Sequence, residues 1–184
     1  MSRNIRFIGI LITLLLLASC ASYNKKETKQ EVEKKFNLEN YLIQDGYVQL
    51  EMKKMLSGHL HLFGQINGVN GNFVLDTGAS ATVIEEKNKE KFKMQTLGTE
   101  GMAVGAGGTG MQVQVSETNN LKIGELDLTG QNLILMNLDH VNNAFKSMGL
   151  QEVDGVIGAD ILTNGKAIID YSNLILYLKN RIAN

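Results

Sequence analysis

Apolar residues along much of this chain recur at every second position in short runs, the spacing of strands with one face on a core. In 47–56, Val48, Leu50 and Met52 alternate with Tyr47, Gln49 and Glu51, which predicts a first strand. Ser57-Gly58 predicts a turn and 59–66 a second strand. Asn67-Gly68 and Asn70-Gly71 predict a reversal, after which Phe73-Val74-Leu75 runs into Asp76-Thr77-Gly78. The charged stretch 85–92 predicts one or two helical turns lying on the surface. Apolar segments 102–104 and 111–115 flank Gly105-Ala106-Gly107-Gly108-Thr109-Gly110, a hairpin whose glycine-rich tip has many accessible backbone states. Further strands are predicted at 121–128 and 131–138, and a helix at 141–148 begun by Asp139. Val156-Ile157-Gly158 leads into a short helix at 159–162, and 167–170 with 174–178 close the chain as a hairpin around Ser172-Asn173. Many short strands with frequent turn signals favour an all-β domain, a closed barrel or sandwich with one or two short helices, over a βαβ arrangement.

The first twenty residues follow another pattern. Arg3 and Arg6 precede an almost unbroken apolar run at 7–17, ended by Ala18, Ser19 and Cys20. This is the layout of a signal peptide, and the run is short of the roughly 20 apolar residues that span a bilayer. Leu17-Ala18-Ser19-Cys20 resembles the bacterial lipobox, which implies acyl chains (diacylglyceryl, palmitate-type) on Cys20 and a membrane tether that does not span. Residues 22–35 are polar and rich in lysine and glutamate, as in a solvated linker. The chain therefore divides into a signal peptide at 1–19, a lipidated cysteine and flexible tether at 20–45, and a folded domain at 46–180. Ala21, where sorting to the inner membrane would favour aspartate, points to the outer membrane of a bacterial envelope, facing periplasm or exterior.

Composition narrows the function. With 184 residues, 43% hydrophobic and 20% charged, one domain of ordinary globular make-up is accommodated. Lysine and arginine total 18 against 19 acidic residues, so no net field draws the chain to nucleic acid. Cys20 is the only cysteine, which excludes an internal disulfide framework and a cysteine-based metal site. His59 and His61 share one face of a predicted strand, but the third histidine, His140, lies in unrelated surroundings.

The chemistry concentrates at 73–84. Three apolar strand residues followed by Asp76-Thr77-Gly78-Ala79 resemble the active-site turn of aspartic proteases. The Ile66-Asn67-Gly68 turn before it, the glycine-rich hairpin after it, and Val156-Ile157-Gly158-Ala159-Asp160-Ile161-Leu162 near the end follow the order of the single-domain, retropepsin-like family. The likeness spans 47–178. It implies a retropepsin-like barrel in which Asp76 is the catalytic carboxylate, Thr77 bonds across a dimer axis and Gly78 leaves room for substrate. Gly105, Ala106, Gly107 and Gly108 would form a flap over an extended peptide.

Only one Asp-Thr-Gly is present, and Asp154-Gly155 lacks the hydroxyl residue between, so the family mechanism implies a homodimer sharing one proton between two copies of Asp76. It calls for no metal and no cofactor. Ala79 stands where pepsin-like turns carry a hydroxyl donor, which predicts a less acidic pH optimum. Asp160 reads as a favourable first-turn acid and Asp170 as structural. Two plainer readings compete: a peptide-binding envelope lipoprotein that keeps the fold without turnover, and a structural protein in which Asp76 closes an Asx-type turn under a floppy hairpin.

Overall fold

A computed structural model describes residues 37–105 and 108–179. The segment expected as a signal peptide, Cys20, most of the segment expected as a tether, and Ala106 and Gly107 lie outside the described residues. The chain divides into two units between Tyr41 and Leu42. The first helix among the described residues, α1 (Leu38–Gln44), occupies the end of the stretch expected as tether. No helix among the described residues is long and apolar enough to cross a membrane.

Among the described residues eleven strands follow: β1 (Tyr47–Glu51), β2 (Lys53–Lys54), β3 (Leu60–Ile66), β4 (Val69–Leu75), β5 (Val83–Glu85), β6 (Thr96–Gly105), β7 (Gly108–Ile123), β8 (Leu126–Met136), β9 (Gly155–Ile157), β10 (Ile168–Asp170) and β11 (Ile175–Lys179). Helix α2 (Asp139–Ser147) joins β8 to β9, and α3 (Ala159–Asn164) joins β9 to β10. Eight strands form one sheet in the order β2-β3-β4-β9-β5-β8-β7-β6, and an extra β3–β7 pairing closes six of them into a barrel. The other sheet is β1-β11-β10, with β10 at its edge. The all-β architecture with few short helices is thus the one the alternating pattern predicts.

Period-two burial explains the closure. Leu62, Ile66, Phe73, Ile84, Leu121, Ile123, Leu133, Leu135 and Ile157 are essentially inaccessible and fill the barrel. Each such side chain stabilises the fold by about 1.5–3 kcal/mol relative to exposure. A smaller cluster lies on the opposite face of β4, where Val74 packs with Phe145 of α2 and with Val153.

Several boundaries differ from the sequence pattern for identifiable reasons. The strand predicted at 47–56 breaks at Met52, whose N–H donates to Leu174 O at 2.8 Å, so the chain passes from one sheet to the other there. Asn67-Gly68 makes the predicted reversal, with φ of 50° and 79°, the geometry of a two-residue hairpin turn. Asn70-Gly71 does not reverse the chain but lies inside β4. Gly71 is there because a Cβ would fall 2.5 Å from the Phe73 ring and 3.0 Å from Phe92. The 85–92 segment is a short 3-10 turn at Glu86–Asn88, but it is not wholly superficial: Glu85 and Phe92 are buried. The run at 121–128 is not one strand; Gly124, at φ 58°, turns β7 into β8.

Candidate active site

Strand β4 delivers Asp76 to the rim of the barrel, and β9 is the reason the turn stays there. β9 runs parallel to β4 (Phe73 opposite Gly155, Val74 opposite Val156, Leu75 opposite Ile157) and antiparallel to β5 (Val83 opposite Val156). The two strands flanking the turn are thus held on either side of one short strand. Asp76 N donates to Ile157 O at 3.0 Å, and Ala159 N donates to Ala79 O at 2.8 Å. Within the turn, Ala79 N donates to Asp76 O at 3.3 Å and Gly78 N to Asp76 Oδ1 at 2.8 Å. Asp76, Thr77 and Gly78 are all exposed in the single chain.

The side chains that secure the turn come from further along. Thr82 is fully buried. Its N–H donates to Asp160 Oδ2 at 2.9 Å and its hydroxyl to Asp160 Oδ1 at 2.7 Å. Thr82 Oγ1 in turn accepts from Gly158 N at 3.1 Å, and Asp160 Oδ1 also accepts from Ile161 N at 2.8 Å. Backbones approach so closely here that a Cβ on Gly158 would sit 2.5 Å from Ala81 O. Asp160 was read from sequence as a first-turn acid of α3; it is that, and it is also the carboxylate that ties α3 to the Asp76 loop. Thr82 was not singled out at all. No neighbouring residue marks it: Thr82 and Asp160 are 78 positions apart, and the antiparallel pairing of β5 with β9 (Val83 opposite Val156) brings the two together.

Thr77 opens onto a shallow cavity of about 450 Å³ whose walls include Leu162, Lys166, Ala167 and Ile169. The expected flap is the β6–β7 hairpin, in which Gly105 lies opposite Gly108 and the register shifts between Ala103 and Val104. Ala106 and Gly107 fall outside the described residues. His59 and His61 are not brought to this site as a pair. His59 stacks edge-on against Phe145 at 5.5 Å, whereas His61 is buried beside Phe63. Burial, and secondarily Lys53, hold the His61 imidazole below its ordinary pKa. Asp170 accepts from Asn173 and Ser172 in a tight turn; those hydrogen bonds, Asn173 first, hold its carboxyl below the usual range.

The opposite end of β9 carries a second polar cluster. Asp154 Oδ2 accepts from Asn72 N at 2.9 Å, and Oδ1 accepts from Asn88 Nδ2 at 2.8 Å and Lys91 Nζ at 2.5 Å. Buried Glu85 accepts from Lys87 N at 3.3 Å and Leu138 N at 3.1 Å. These carboxylates are consumed in holding loops together, and none is presented on an open turn.

The profile of the aspartyl protease family matches residues 63–161, more than half of the chain. Among solved structures the chain is similar to a retropepsin-like aspartic protease from Rickettsia conorii, with a TM-score of 0.49 and 17% identity over 72% of this chain and 92% of that one. It is also similar to EIAV protease complexed with the inhibitor HBY-793, with a TM-score of 0.48 and 18% identity over 64% of this chain and 98% of the other. No curated protein matches the sequence.

Proposed function

Because the chain belongs to the aspartyl protease family, we propose that it is an endopeptidase whose catalytic carboxylate is Asp76. The observation that carries this reading is the exposed Asp76-Thr77-Gly78 turn, held from both flanks by β9. A rigid loop that presents a carboxylate to solvent is what general acid-base catalysis requires of its scaffold.

One carboxylate is insufficient for the chemistry, so the active species is a homodimer in which two copies of Asp76 share a proton. The ionised copy takes a proton from water as the water oxygen attacks the scissile carbonyl carbon. The protonated copy gives its proton to the carbonyl oxygen. Collapse of the tetrahedral species breaks the C–N bond: the leaving amine takes up the proton of the protonated copy, and one hydroxyl of the diol returns its proton to the ionised copy, so the dyad again shares one proton. Thr77 steadies the two turns across the axis, Gly78 admits the substrate backbone, and the hairpin bearing Gly105 and Gly108 closes over the peptide. No step calls on a metal or cofactor. Lipid on Cys20 tethers the enzyme to the bacterial envelope, outer membrane by the residue at 21. Confinement to a membrane plane raises the effective concentration of the two copies.

The test is cleavage of a mixed peptide library by wild-type protein and Asp76→Asn, from about pH 4 to about pH 8. Products are read by mass spectrometry and molecular mass by light scattering on the same samples. Cleavage by the wild type alone, rising with dimer concentration, is the expected result. A dimer that binds peptides and cleaves none would replace this reading with that of a peptide-binding lipoprotein.

A further inference from the structure

A cavity of about 490 Å³, with no residue of the Asp76 turn in its wall, is lined by Met111 of β7, Met136 at the end of β8 and His140 in the first turn of α2. Strand register accounts for the two methionines. Val113 lies opposite Met136, and residues paired in register project to the same face. Met111, two positions before Val113 on β7, projects to that face as well. It is therefore the diagonal neighbour of Met136, a separation that long side chains bridge.

The connection between β8 and α2 brings in the imidazole. Leu138 N donates to the buried Glu85 Oε2 at 3.1 Å, Asp139 N to Asn137 Oδ1 at 2.8 Å, and Val141 N to Leu138 O at 2.9 Å. These bonds fix the backbone on both sides of His140. Burial separates this group from methionines that fill core gaps: Met52 and Met94 are buried in the main core, whereas Met111 and Met136 are half-buried and His140 is exposed. Among the described residues nothing hydrogen-bonds to the His140 ring. Two carboxylates share the wall. Asp139 is engaged by Lys87 and Asn137, while Glu86 is exposed.

We propose that Met111, Met136 and His140 form a binding site for copper(I). Thioether sulfur is a neutral, soft donor that selects this soft, singly charged ion, and imidazole nitrogen also suits it. Glu86 adds a nearby negative charge. Zinc and calcium are poorly served, since they favour thiolate, imidazole or oxygen ligands, and among the described residues no three histidine, cysteine, aspartate or glutamate side chains are grouped to hold a metal. Binding is coordination alone, with no change of oxidation state, and it does not depend on proteolysis. Met111 stands beyond the last β7–β8 pair and opposite Ala103 of β6, so the ion joins the β6–β7 hairpin to the barrel at the place where β8 ends.

The full-length chain carrying Cys20→Ser, which removes its single thiol, is isotopically labelled at the methionine methyls and titrated without oxygen, using copper(I) supplied as its acetonitrile complex. The methyl signals of Met111 and Met136 and the ring signals of His140 are expected to move together and to saturate at one equivalent. Met148, exposed at the far end of α2, stays in place. Met136→Leu and His140→Gln should each weaken binding by at least about tenfold, and Met148→Leu should leave it unchanged. Leucine keeps the volume of methionine, and the unmoved methyl signals report that each variant is folded. Zinc(II) at the same concentrations should leave the methionine methyls where they are. The inference is overturned if Met111 and Met136 do not respond, if Met148 responds with the same midpoint, if His140→Gln binds as tightly as the parent, or if zinc(II) moves the same signals.

Discussion

The two ends of β9 solve the same problem with the same residue type and arrive at different results. Before the strand, Asp154 ties it to β4 through Asn72 and to the 3-10 turn through Asn88. After the strand, Asp160 ties it to the loop between β4 and β5 through Thr82. Hydrogen bonds to an ionised acceptor contribute about 1.5–3 kcal/mol each, so both carboxylates stabilise a three-residue strand that would be weak by itself. At the first end Asp154 and the buried Glu85 are both engaged in such ties. At the second, the tied loop carries one further carboxylate, Asp76, which accepts from Gly78 N within its own turn and remains exposed. Burial and partner count thus separate an aspartate that builds the scaffold from one that is displayed by it.

The largest effect expected is on Asp76. Asp76→Asn should lower kcat/KM by about 10⁴-fold or more, while urea unfolding shifts by less than about 0.5 kcal/mol because the side chain is at the surface. A large loss of stability would show that Asp76 belongs with the structural aspartates and would dissolve the contrast. Next comes Gly158→Ala. A Cβ placed 2.5 Å from Ala81 O meets backbone that has no room to yield, so a loss of about 3 kcal/mol is expected in the same unfolding experiment. A near-neutral result would mean that the turn and α3 are less tightly apposed than described.

The comparison is sharpened most by matched variants at the two ends. Asp160→Asn and Asp154→Asn each replace an acceptor oxygen with a donor that faces other donors. Each should lower stability by about 1–3 kcal/mol. Only Asp160→Asn should also lower kcat measured on the folded fraction, since it alone loosens the loop that holds Asp76. Equal kcat losses from both variants would place catalysis under global stability and not under the local tie.

How far the sequence foretold this division depends on how local the signal was. The Asp76-Thr77-Gly78 turn, the hairpin at Asn67-Gly68, helix α2 begun at Asp139 and the closing β10–β11 hairpin were all legible, since each is written in neighbouring residues. The Thr82–Asp160 tie was not, because its members are 78 positions apart and meet through the pairing of β5 with β9, which no period reveals. Phe92 was hidden for a related reason: in a stretch of charged residues one aromatic looks superficial until Gly71 on a distant strand is seen to make room for it. Even the break at Met52 is set from outside, by Leu174 O. Alternation reports which face of a strand is buried, but it carries no information on which strand comes next to it.

The smallest effect expected lies away from both ends, in how stability falls with acid. His61 is buried beside Phe63 and near Lys53, and both burial and that ammonium disfavour its protonated form. Its pKa in the fold is therefore below the ordinary 6.5. Above 6.5 the ring is neutral in folded and unfolded chains and contributes no pH dependence. Below 6.5 the unfolded chain binds a proton that the fold resists, so stability declines as pH falls toward the lowered value. Asp170, held below 3.8 by Asn173 and Ser172, adds a second decline that begins only below that pH. It is exposed, so the second step should be shallow. His61→Gln should flatten the first step alone, seen as urea midpoints that no longer drop as pH falls below 6.5, while the fall below 3.8 persists. If the first step survives in His61→Gln, the early acid sensitivity belongs to a group other than His61.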